Sequence, residues 1–61
     1  MKLIIKNSDR NLIIMKVERV VFNEVNKTIA FETSHGAGLK TLSIEKDNII
    51  SIKVDEYEIF G

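Results

Sequence analysis

The stretch LIIMKVERVVFNEV, residues 12 to 25, decides the fold, because it can be read with two different periods. Ile13, Lys16, Val17, Val20, Val21 and Glu24 fall at spacings of three and four, the repeat of a helix. The density of isoleucine and valine argues the other way: β-branched side chains are stiff at χ1 and fit a pleated surface better than a helical one. Strands are therefore expected. One straight strand does not suffice, since Ile13, Met15 and Val17 share one parity while Val20 and Phe22 have the other. Side chains alternate with period two, so both sets reach one core only if an extra residue is inserted. A bulge or corner near Glu18 and Arg19 would supply it, giving a sharp bend of the kind that lets short strands curl from one layer into the next.

Working outward, β-rich runs punctuated by turn residues recur every eight to twelve positions, the rhythm of a small all-β protein. LIIK (residues 3–6) meets NSDRN (7–11), whose Asn, Ser and Asp side chains can bond their own backbone. A hairpin returning through LIIMKV (12–17) follows. VVFNEVNKTIAFET (20–33) reads as a second hairpin with Asn23 to Lys27 as its loop, Val20 and Phe22 on one arm, Ile29 and Phe31 on the other, and the two phenylalanines meeting across it. Beyond residue 39, Leu42 and Ile44 alternate, Lys46 to Asn48 turn, and Ile50, Ile52 and Val54 alternate again, predicting a third hairpin. KDNIISIKV (46–54) resembles the closing turn and strand of small bacterial barrels of the SH3-like, Sm-like and PH-like kinds, and that likeness implies a small barrel. The tail from Asp55 adds an edge strand, covers one or frays.

The resulting expectation is an all-β fold. Residues 1–61 form one small antiparallel barrel or bent meander of five or six short strands, with 55–61 as a frayed or edge-covering tail. Its predicted core is Leu3, Ile5, Ile13, Met15, Val17, Val20, Phe22, Ile29, Phe31, Leu42, Ile44, Ile50, Ile52 and Val54.

Composition bounds what such a domain can be. At 61 residues it buries only about 60% of the surface its unfolded chain exposes, so the core is thin. The sequence has no cysteine and one histidine, which removes disulfides and the usual zinc sites as staples. Association with a second copy is the staple that remains. Absence of cysteine, and an opening MKLIIK without the features of a signal peptide, point to a cytoplasmic protein. No segment approaches the roughly 20 apolar residues of a membrane span. The heavy use of Ile, Lys and Asn suggests an AT-rich bacterial or phage genome.

Nine basic and nine acidic residues cancel, so the chain lacks the global field of a dedicated nucleic-acid binder. The charges are unevenly placed: residues 1–30 carry a net +3 and residues 31–61 a net −3. The two halves, or two copies, can attract each other.

Chemistry-bearing motifs are sparse. SHGAGLKT (34–41) ends like a phosphate-binding loop, but that loop needs four residues between its glycines and a lysine directly after the second. Here one residue separates Gly36 from Gly38, Leu39 precedes Lys40, and LKTLSIE continues as a strand. The segment reads as a turn in which Gly36 or Gly38 takes positive φ. His35 beside Ser34 has no third group to complete a nucleophilic array, and no set of ligands converges on a metal. Asp55, Glu56 and Glu58 lack the glycine-centred turn of a calcium loop and read as a solvated acidic end. No catalytic, cofactor or metal residue is assigned, no small-molecule ligand is indicated, and the chain is not expected to be an enzyme.

Two functional expectations follow. The first is a non-catalytic module that self-associates or docks on a protein partner; no proline guards any strand edge, which favours pairing between chains. The alternative is a nucleic-acid-binding small barrel using Lys2, Lys6, Arg10, Lys16 and Arg19. Its stacking aromatics would be Tyr57 and Phe60, which sit among acids that repel phosphate.

Overall fold

The computed structural model describes residues 1–34, 36 and 38–61. Seven strands run through it: β1 (Leu3–Asn7), β2 (Asn11–Ile14), β3 (Val17–Asn23), β4 (Thr28–Thr33), β5 (Lys40–Ser43), β6 (Ile49–Val54) and β7 (Tyr57–Phe60). All pairings are antiparallel, in a four-stranded sheet of order β2-β1-β6-β7 and a three-stranded sheet of order β3-β4-β5. The all-β antiparallel expectation holds. The count rises from five or six strands to seven, and the described strands form two sheets with four outer strands instead of a closed barrel.

The core lies between the sheets. Leu3, Ile5, Ile49 and Ile52 come from the larger sheet, Val17, Ile29 and Phe31 from the smaller, and Ile44 from the crossing between them; no polar side chain is buried among the described residues. Phe22 of β3 reaches across to Phe60 of β7, with ring centroids 6.0 Å apart and planes tilted by 52°. This offset geometry suits two aromatic quadrupoles.

Turn chemistry explains the punctuation. Asn7 Oδ1 accepts from the N–H groups of both Asp9 and Arg10 at 2.8 Å, and the Asn7 N–H donates to the Arg10 carbonyl at 2.9 Å, closing the first hairpin. Asn23 Oδ1 accepts from the Asn26 N–H at 2.9 Å in the second. Both turns stand where the sequence placed them. Gly36 and Gly38 have φ of 68° and 81°, the left-handed region glycine enters without steric cost, between two strands that pair as a hairpin. His35 lies outside the described residues.

The stretch at residues 12–25 forms strands, with a second parity break the sequence reading lacks. Leu3 and Ile5 are buried and lie opposite Ile14 and Leu12, so those residues turn toward the core. Ile13 and Met15, assigned to the core from their shared parity with Val17, point outward at 58% and 61% exposure. Lys16, at φ 57°, reverses the alternation before Val17. The expected bulge does occur at Glu18, where Val17 pairs with Thr33 and Arg19 with Glu32, and it brings Val20 and Phe22 against the core.

The same error recurs at Ile50. Lys6 pairs with Ser51 but Asn7 pairs with Ile49, so Ile50 is the extra residue of a bulge and is 52% exposed, while Ile49 takes the buried place. The third hairpin is also corrected. β5 pairs with β4 and β6 with β1, and the turn from Ile44 to Asn48 carries the chain between sheets. Alternation marks a segment as a strand but does not name its partner. Nor are Phe22 and Phe31 directly opposite: Phe22 pairs with Ile29 and Val20 with Phe31.

Candidate functional site

Two sheets with four outer strands leave two seams, and a hollow lined mostly by apolar side chains follows each. Between β2 and β5 runs a groove of about 320 Å³ walled by Leu12, Ile14, Phe31 and Leu42. Lys40 is the one charged side chain in its lining among the described residues. Between β3 and β7 a second hollow of about 340 Å³ is lined by Val20, Phe22, Tyr57 and Ile59, with the Asp55 carboxylate and the Met1 ammonium as its charged groups.

β2 makes the first seam distinctive. Among the described residues it pairs only with β1, so its other row of N–H and C=O groups has no strand partner there. Its four residues carry no charge, Leu12 is 40% exposed, and Ile13 and Met15 project from the opposite face. An outer strand is normally blunted by a proline, an inward charge or a covering loop. β2 itself carries neither a proline nor a charge.

At the far side of the same sheet, β7 pairs only with β6 and includes Tyr57, 77% exposed between Glu56 and Glu58. Opposite Ile52 and Lys53 stand Phe60 and Glu58, which makes Ile59 the extra residue of a bulge and returns Phe60 to the core. Asp55, at φ 54°, fixes the turn into β7: its N–H donates to the Lys2 carbonyl at 2.8 Å, and its Oδ1 accepts from the Lys2 N–H at 2.9 Å.

The five cations considered for nucleic acid are spread over this frame. Lys6 and Arg10 stand at the turn end of the β1–β2 hairpin, Lys2 and Lys16 at its other end, about 13 Å or more away along the strands. Arg19 is in the other sheet, opposite Glu32. Of the aromatics, Phe31 is in the core, Phe22 and Phe60 pack against it, and Tyr57 is flanked by acids. No aromatic lies between these cations on either sheet. Lys27 and Glu45 form an ion pair at 3.3 Å, but both side chains are largely in water, where such a pair contributes little.

Among the described residues no three His, Cys, Asp or Glu side chains are grouped to hold a metal, and no helix is long and apolar enough to cross a membrane. The groove itself is not visible in the sequence, because the shared parity with Val17 points to Ile13 and Met15 as the core side chains of this strand, and they face outward. The signal that would have found it is register: counting back across the NSDRN turn sets Leu12 against Ile5. Comparison of the chain with family models, curated proteins and solved structures gives no match.

Proposed function

We propose that this chain is a non-catalytic interaction module that associates with its own kind through its strand edges. The observation that carries the reading is β2, an uncharged outer strand with exposed apolar side chains on both faces, beside an apolar groove. A domain this small has few ways to bury more surface, and pairing its open edge with another strand adds both main-chain hydrogen bonds and apolar burial. The finer relation to SH3-like, Sm-like and PH-like barrels belongs to the same proposal, the two sheets being a small barrel opened along two seams.

The test is the light-scattering mass behind a sizing column, with absorbance read at 260 and 280 nm. A mass above the monomer's with the absorbance ratio of pure protein is the expected result. A monomer that leaves the cell carrying 260 nm absorbance, stripped by salt, would overturn the reading in favour of nucleic acid.

A further inference from the structure

We infer that the copies join head to tail, with the acidic β7 edge of one chain adding to the β2 edge of the next and resting on the groove between β2 and β5. This rests on the self-association proposed above and specifies its geometry. β1 and β7 run one way and β2 and β6 the other, so the two edges of the larger sheet are oppositely directed. A second copy set beside the first in the same orientation therefore meets it with an antiparallel pair. The sheet continues across the joint with its core faces on one side.

Residues 9–16 carry Arg10 and Lys16 against Asp9, and Lys40 lines the groove beside them, whereas residues 55–61 carry Asp55, Glu56 and Glu58 and no cation. Pairing β2 with β7 brings unlike charges together. The symmetric alternatives do not: two β2 strands centred on Ile13 set Arg10 of one copy opposite Lys16 of the other, and two β7 strands crowd six carboxylates into one interface. Like charges directly opposite in a sheet are destabilising.

Tyr57 stands in register with Val54, Leu3 and Ile14 across the sheet, on the side that turns toward the core. In the extended sheet its exposed ring falls beside Leu12 and Ile14 of the neighbouring copy, against the groove between β2 and β5. Because donor and acceptor surfaces differ, the contact is heterologous and builds chains instead of closed dimers.

Charge inversion with rescue tests this. Lys16→Glu with Lys40→Glu inverts the acceptor edge, Lys16 being the cation that this register sets beside Asp55 and Glu56; Glu56→Lys with Glu58→Lys inverts the donor edge. All four sites lie outside the buried core, and thermal melts confirm that the variants fold. The wild type should grow in mass with concentration without stopping at a dimer, each inverted variant alone should remain monomeric, and an equimolar mixture of the two should regain the growth. A wild type that associates with a mass untouched by either inversion, or that stops at a discrete dimer, would overturn the head-to-tail arrangement alone. A wild type monomeric at every concentration would overturn both this and the self-association it rests on.

Discussion

Phe22 and Phe60 pack at a centroid distance of 6.0 Å, tying the last strand to the sheet with which it shares no ladder. β7 is short and bulged, so its hydrogen bonds to β6 alone would hold it weakly. The aromatic contact makes it part of the domain. Phe60→Ala should therefore cost about 2 to 3 kcal/mol, less than a fully buried phenylalanine because Phe60 is only partly enclosed. Amide exchange at residues 57–60 should accelerate more than in β1. Equal acceleration in both strands would show that β7 unfolds only with the whole.

Phe31 is the larger wager on the core. It is buried on the central strand of the smaller sheet, and Phe31→Ala should cost about 3 to 5 kcal/mol, most of the stability available to a domain of this size. Met15→Ala, by contrast, should stay within about 0.5 kcal/mol, as expected of an exposed site. Urea midpoints for the two variants decide the matter, and a Met15 variant as damaged as the Phe31 variant would restore the original parity assignment.

That contrast shows what was legible in the sequence. Turn chemistry was local and could be read: NSDRN, Asn23 to Lys27 and SHGAG each carry residues whose own side chains or φ freedom make the turn. The bulge at Glu18 was legible too, because Val17 and Val20 cannot otherwise share a core. Lys16 and Ile50 hid the remaining breaks. A lysine with positive φ carries no mark in the sequence, and in the pair Ile49 and Ile50 both residues are equally apolar, so only pairing with Asn7 and Lys6 tells which turns inward. The β2–β5 groove depended on those same registers and on which strand β5 joins, facts set by long-range pairing.

Gly38 borders that groove and has φ 81° with no atom within 4 Å of where a Cβ would stand. Gly38→Ala should therefore destabilise by about 1 kcal/mol through backbone strain alone. Thermal melts at matched concentration measure it. A neutral result would mean that the loop relaxes to another conformation at no cost.

Asn7 serves two backbone donors with one oxygen. Asn7→Ala should cost about 1 to 2 kcal/mol by leaving both N–H groups to water and loosening the first turn, whereas Asn7→Asp, which keeps the accepting oxygen, should cost less. If the two variants melt together, the side-chain oxygen does not hold the turn.

A light-scattering concentration series on the wild type beside Ile13→Glu decides whether the chain self-associates through β2. Ile13 is exposed in the monomer, so a glutamate there leaves the core untouched, while in the extended sheet it stands opposite Glu58 of the neighbouring copy, where like charges repel. The wild-type mass should climb with concentration, and the variant should stay monomeric with an unchanged melt. A wild type that remains monomeric throughout, or a variant that associates as the wild type does, would contradict self-association through β2.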